Sequence, residues 1–224
     1  TTLACSLQKQ HTHAEVTVCL LDQRPEDIVT ARELIASHSN SAKTCLISTP
    51  FAAPPKRHVS VTELAWHRCM RQAEHGHDVI LLTDSLTALT RARSRSSAPS
   101  GSWILPGLDA KAILHAKDVL ASTIECKLGG SLTVIATVTT GEAGTIDEAI
   151  EREFAALTNS DVVIDAAAPT CQGLCFDVTA TQSRIDNAEQ TVRDQEIQQL
   201  RTDLAAMPYE DRGCHWEAVM RDFE

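Results

Sequence analysis

The stretch DVILLTDSLTALTRA, Asp78 to Ala92, decides the fold. Its first half holds an unbroken branched apolar run, Val79 to Leu82, that closes in Thr83-Asp84-Ser85. Such a run is the pattern of a strand buried on both faces, and strands of that kind belong to parallel sheets covered by helices. Ser85 and Thr87 suit the turn and helix start that follow. In open α/β sheets ligands sit beyond the carboxyl ends of the strands, so Asp84 marks one place to look. A carboxylate there is how a nucleoside triphosphatase holds magnesium beside the phosphates, although many strands end in an Asp that merely caps a turn.

Outward from that stretch the same unit recurs. Upstream, VTVCLL (Val16 to Leu21) is a second buried strand, ending in Asp22-Gln23-Arg24. Pro25 suits the first turn of a helix over Glu26 to Ser37, with its stripe at Ile28, Ala31, Leu34 and Ile35. Leu3 to Gln10 reads as a helix that begins at or before Thr1. A short strand at Thr44 to Ser48 and a loop with Pro50, Pro54 and Pro55 lead to a helix from about Ser60 to His75.

Downstream, a long loop is expected over Ser94 to Pro106, then a helix over Asp109 to Cys126, a Gly129-Gly130 turn and a strand at Ser131 to Thr137. A loop, TTGEAGT, precedes a helix at Asp147 to Phe154. Asp161 to Ile164 reads as a strand paired with Gly173 to Val178 in a hairpin, and Asn187 to Leu204 and Trp216 to Phe223 as amphipathic helices. Alternating strands and helices predict an α/β domain, mainly parallel, with helices on both faces of the sheet. Its core is expected over residues 1–186, with 187–224 as a C-terminal helical segment of the same domain.

Composition bounds the partners. The longest apolar runs fall well short of the roughly 20 residues that span a bilayer, so no membrane segment is expected. No secretory leader is visible and the cytoplasm is the default compartment. The eight cysteines are scattered through apolar or helical patterns, as reduced buried thiols are. Cys171 and Cys175 make one Cys-x-x-x-Cys pair without a second, too little for zinc. His11 with His13, and His75 with His77, read as solvated, so no metal centre is assigned from them. A net charge of −10 argues against general nucleic-acid binding, leaving Arg91, Arg93 and Arg95 as a local basic patch or a solvated loop.

Several segments carry a resemblance. DQRPED (Asp22 to Asp27), KRHVSV (Lys56 to Val61), DVILLTDSLT, PGLDAKAI, GGSLTVIAT and IDEAIEREF stand in the order and spacing of the motor domain of the Rho transcription termination factors. The chain resembles that family over most of its length, almost without gaps from Asp109 to Phe154. The resemblance implies a RecA-like P-loop ATPase fold that takes ATP with Mg2+, a homo-hexamer working on RNA, and RNA polymerase as a possible partner. It implies Asp84 as the magnesium ligand and Asp22, Arg24 and Asp84 around the nucleotide. Thr1 and Thr2 stand at or next to the closing hydroxyl of the P-loop, a motif found nowhere in the chain; either the chain is cut just after it or the gene lacks it. The strand leading into that loop lies beside the one at Ser131 to Thr137, so an open strand edge is expected there.

The departures fall at working positions. Gln23 replaces the glutamate that activates the attacking water, and such a base is typically worth about 10²–10⁴ in rate. Ala180, in Thr179-Ala180-Thr181-Gln182, stands where the family carries an arginine finger. Of two RNA loops, SGSWILPGLDA (Ser100 to Ala110, with Gly107) has Ser102 in place of lysine. TTGEAGTID (with Gly144) has Thr145 in place of lysine and adds Glu142. Arg57 and His58 read as an interface pair or as satisfied polar residues. Two functions follow: a Rho-type ATP- and RNA-dependent motor, catalytically impaired, or a non-catalytic relative kept as a binding or scaffolding module.

Overall fold

A computed structural model describes residues 2–37, 43–127, 129–165, 175–176 and 181–183. The chain divides into two compact units, Thr1–Leu157 and Thr158–Glu224. The expected division at 186/187 and the two C-terminal helices lie outside the described residues.

The first unit runs α1 (Thr2–Gln10), β1 (Glu15–Gln23), α2 (Pro25–Ala36), β2 (Thr44–Pro50), α3 (Pro55–Glu74), β3 (Asp78–Asp84) and α4 (Leu86–Ser96). It continues with β4 (Trp103–Leu105), β5 (Leu108–Asp109), α5 (Ala110–Ala121), β6 (Ile124–Glu125), β7 (Ser131–Ala136) and α6 (Ile146–Ala155). The main sheet has the order β2-β1-β3-β7-β6. β1 is parallel to both β2 and β3, β3 is parallel to β7, and β6 is antiparallel to β7.

Period-two alternation sorts the strand side chains into two cores. Cys19, Leu21, Val79, Leu81 and Leu132 face the layer that holds Ala65, Cys69, Leu89, Ala116, Ile150 and Phe154 from α3 to α6. Val16, Val18, Leu20 and Ile80 face Ala4, Cys5, Ala31 and Ile35 of α1 and α2. Both faces of β1 and β3 are therefore covered, and this is why neither strand alternates with polar residues. On its far side β7 pairs only at Ser131 and Leu132; from Thr133 to Ala136 no strand lies beside it among the described residues.

Three expectations need correction. The long loop over Ser94 to Pro106 is in part ordered: α4 runs to Ser96, and β4 and β5 form a hairpin turning at Pro106-Gly107, where Gly107 takes φ +93°. The helix expected to reach Cys126 stops at Ala121, because Ile124 and Glu125 leave it to pair with β7. The strand expected at Asp161 to Ile164 is two short ones of the second unit. There β8 (Ser160–Asp161) pairs with β11 (Gln182–Ser183), and β9 (Ile164–Asp165) pairs antiparallel with β10 (Cys175–Phe176), the latter inside the expected hairpin.

Candidate functional site

The carboxyl edge of the sheet is built by register. Leu20 of β1 is level with Asp84 of β3, so Asp22, Gln23 and Asp84 emerge from adjacent strands at one edge. The end of β1 is distorted: its pairing with β2 slips between Leu20 and Gln23, and Asp22 takes φ +58°. A non-glycine residue in that region carries about 1–3 kcal/mol of strain, and such residues cluster at functional sites.

Gln23 is half-buried, and its Nε2 donates to the Leu21 carbonyl at 3.1 Å. Its own carbonyl accepts from Phe51 N at 2.9 Å, which sets Phe51, 59% exposed, beside it. Arg24 is the N-cap residue of α2, exposed, with its carbonyl accepting from Ile28 N at 3.2 Å and Pro25 opening the helix. Asp84 is held from β7: Thr137 Oγ1 donates to its Oδ1 at 2.7 Å. Thr137 is itself fixed, its N donating to the Thr83 carbonyl and its carbonyl accepting from Leu86 N, both at 3.0 Å. Ser85 caps α4 by accepting from Ala88 N, while Thr87 Oγ1 accepts from Thr139 N at 3.0 Å.

His58 is buried with both ring nitrogens engaged, Nδ1 with Thr49 Oγ1 at 2.7 Å and Nε2 with the Ala53 carbonyl at 3.1 Å. It pins the loop after β2, while Arg57 is exposed. Thr2 opens α1, a helix of about 13 Å that packs on β1 and ends just before it, so its start lies toward the carboxyl edge. Thr1, Ala180 and Cys171 lie outside the described residues.

The two loops singled out in the sequence lie together. A Cβ at Gly107 would meet Ile146 Cδ1 at 3.5 Å, and Arg91 Nη2 donates to both carboxylate oxygens of Asp147 at 2.6 and 2.8 Å. Ser102 is exposed on the β4–β5 hairpin, its carbonyl accepting from Ala110 N at 3.1 Å. Thr145 is the N-cap of α6, accepting from Glu148 N at 3.3 Å, and the Glu148 carboxylate reaches back to Gly144 N. That reciprocal arrangement is a variant of the capping box. Of the three arginines read as a basic patch or a solvated loop, all on α4, Arg91 is taken up by Asp147, Arg93 lies 3.9 Å from Glu63 and Arg95 is exposed.

Asp109 anchors the hairpin. Its carboxylate accepts from Ser100 N at 2.6 Å, Ser100 Oγ at 2.8 Å and Lys111 N at 2.8 Å, and the Ser100 amide bond is the foremost cause holding its carboxyl below the ordinary value. Sequence reasoning missed Thr137 and Asp109; hydroxyl and carboxyl groups at element ends are a signal, but their partners are set by tertiary pairing. Among the described residues no three His, Cys, Asp or Glu side chains converge to hold a metal. A single oriented carboxylate at a strand end still suits Mg2+ that arrives on a nucleotide, since that ion keeps waters and phosphates in its shell. No helix among the described residues is long and apolar enough to cross a membrane.

No family model matches the chain. The transcription termination factor Rho of Rhodopirellula baltica is 32% identical over 209 residues, covering 91% of this chain and 39% of that protein. The Rho proteins of Cereibacter sphaeroides and Bacillus subtilis are 34% and 32% identical over 163 residues, 73% of this chain. The chain spans 36–39% of the length of these relatives. Among solved structures, a prototypical ATPase from the type III secretion system of pathogenic bacteria superposes with a TM-score of 0.66 and 17% identity, over 85% of this chain and 54% of that one.

Proposed function

As a relative of the Rho transcription termination factors with the RecA-like ATPase fold, this chain is, we propose, a Rho-type motor domain that engages Mg2+–nucleotide at the carboxyl edge of its sheet but is impaired in hydrolysing it. The observation that carries this reading is Gln23. At the strand end beside Asp84 it offers an amide, one of whose two N–H groups donates to the Leu21 carbonyl. An amide orients water but accepts a proton poorly, and the missing base is worth about 10²–10⁴ in rate.

In this reading Asp84, steadied by Thr137, holds the magnesium ion that a bound nucleotide brings, and Arg24 meets a phosphate or a neighbouring copy. The cytoplasm, a homo-hexamer, RNA as substrate and RNA polymerase as a possible partner follow from the kinship alone. The second reading, a non-catalytic binding or scaffolding module, is favoured by Thr145 and Ser102, whose polar groups serve the local fold and supply no cation.

The test measures nucleotide binding and phosphate release separately, with and without single-stranded RNA. Binding without release above background, and a gain of hydrolysis in Gln23→Glu, supports the impaired motor. RNA-stimulated release by the native chain refutes impairment, and failure to bind nucleotide selects the scaffold.

A further inference from the structure

Free thiols gather toward the amino ends of β1 and β2, at the opposite end of the strands from Asp22 and Asp84. Cys45, near the start of β2, is level with Thr17 of β1, so their side chains share a face of the sheet. Cys19 lies two residues beyond Thr17 and points the same way. α3 brings Cys69 down onto this place: the Thr17 hydroxyl is hydrogen-bonded to the Cys69 thiol, and Cys69 lies within electrostatic reach of both Cys19 and Cys45. Cys19 and Cys69 are buried and fill the core as small apolar residues do. Cys45 does not. It is part-exposed and lines a cavity of about 490 Å³ with Lys43, Thr44, Arg68 and Gln72.

We propose that Cys45 and Cys69 form a dithiol oxidation site: a hydroperoxide enters by the cavity and oxidises Cys45, and Cys69 resolves the product to a disulfide. The site goes beyond the Rho-type reading and does not depend on it. In the first step the Cys45 sulfur attacks the peroxide. An S–O bond forms, the O–O bond breaks, and water or an alcohol leaves with the thiol proton, so that Cys45 becomes a sulfenic acid. The Cys69 sulfur then attacks the Cys45 sulfur. The S–S bond forms, the S–O bond breaks, and hydroxide leaves with the Cys69 proton as water. The pair of thiols is oxidised and the hydroperoxide is reduced.

Adjacency selects Cys69 as the second thiol. Neighbouring strands lie about 4.8 Å apart, so a sulfur bonded to Thr17 stands one strand from Cys45, within the span that a disulfide bridges. Burial pushes the Cys69 thiol up, against the Thr17 hydrogen bond and the Arg68 charge, and this makes it a poor first target. Held beside a sulfenic acid it reacts as an intramolecular partner, at high effective concentration. The other described thiols are worse placed: Cys5 lies in the core of the opposite face, and Cys126 follows β6, across β1, β3 and β7 from β2. The disulfide ties the strand at the sheet's edge to α3 and constrains the unfolded chain between residues 45 and 69.

The experiment treats the reduced native chain with hydrogen peroxide, blocks the remaining thiols with iodoacetamide after unfolding, and maps the peptides without reduction. The expected product is a linked pair of peptides carrying Cys45 and Cys69, returned to free thiols by dithiothreitol. In Cys69→Ala the sulfenic acid at Cys45 is trapped by dimedone instead, and in Cys45→Ser the Cys69 thiol is lost about 10-fold more slowly or less. A chain oxidised while unfolded in urea scatters its disulfides among the other cysteines. If Cys69 stays a free thiol in the treated native chain while Cys45 takes up dimedone or reaches the sulfinic acid, the pairing is overturned. It is equally overturned if Cys45 joins another cysteine or a second copy of the chain. That map is made on the native chain, so it decides the matter even where a variant at the buried Cys69 does not fold. Nucleotide binding, measured separately, bears on the Rho-type reading and leaves the thiol pair untouched.

Discussion

Two adjacent glycines allow the packing of the sheet on α3 to be measured. Gly129 and Gly130, in the turn before β7, have nearly equal backbone angles, φ +92° and +88°. A Cβ on Gly129 would meet nothing within 4 Å, whereas one on Gly130 would lie 2.2 Å from the Ala73 carbonyl oxygen and 2.9 Å from Gly76 C and Cα. Gly129→Ala should therefore cost only the left-handed backbone penalty, about 1–2 kcal/mol. Gly130→Ala should add an overpacking cost of about 1–3 kcal/mol, because the obstacle is backbone at the end of α3 and cannot swing aside. At roughly 2–4 °C per kcal/mol for a chain of this size, the second variant should melt about 2–12 °C below the first. Thermal and urea unfolding followed by circular dichroism would read the difference. Equal destabilisation, or a milder effect at Gly130, would refute the close approach of the turn to α3 and with it the placement of β7, whose far end delivers Thr137 to Asp84.

Thr137→Val should leave the sheet intact and cost about 1 kcal/mol or less, since it removes one hydrogen bond at an exposed edge; a loss above about 3 kcal/mol in urea titration would mean that the hydroxyl holds more than a side chain. Asp109 has a depressed carboxyl pKa in the folded chain, so its anchoring is fully present above the ordinary carboxylate range and is lost as pH falls through the folded value. Native stability should thus drop more steeply below about pH 4 than that of Asp109→Asn, and parallel acid curves would contradict this. Burial pushes the Cys19 thiol up to about 12, so it should resist iodoacetamide at pH 8 until the chain unfolds, while the part-exposed Cys45 and Cys126 react in the native state; mass mapping that finds Cys19 modified in the native state would show the core to be open.

The kinds of element and the ends of strands were legible in the chain because burial period is a local property. Val79 to Leu82 is apolar throughout, and Val16 to Leu21 is so but for the buried Thr17, since both faces of β1 and β3 are covered, and the polar residue that ends each run announces the sheet edge. Asp22, Gln23 and Asp84 could be named on that basis alone, and the likeness of their surroundings to Rho supplied the chemistry. Tertiary structure alone decided what those groups touch. Thr137 reaches Asp84 across 53 residues of sequence, Arg91 reaches Asp147 across 56, and Gly130 comes against Ala73. The hairpin that displays Trp103 was hidden for the same reason. Its strands are two and three residues long, too short for any periodicity, and they are held by Asp109 of β5, which binds Ser100, and by Ser94 of α4, which accepts from Asp109 N. Local pattern specifies what each segment becomes; the side chains that complete a site are set by which segments the shared core brings side by side.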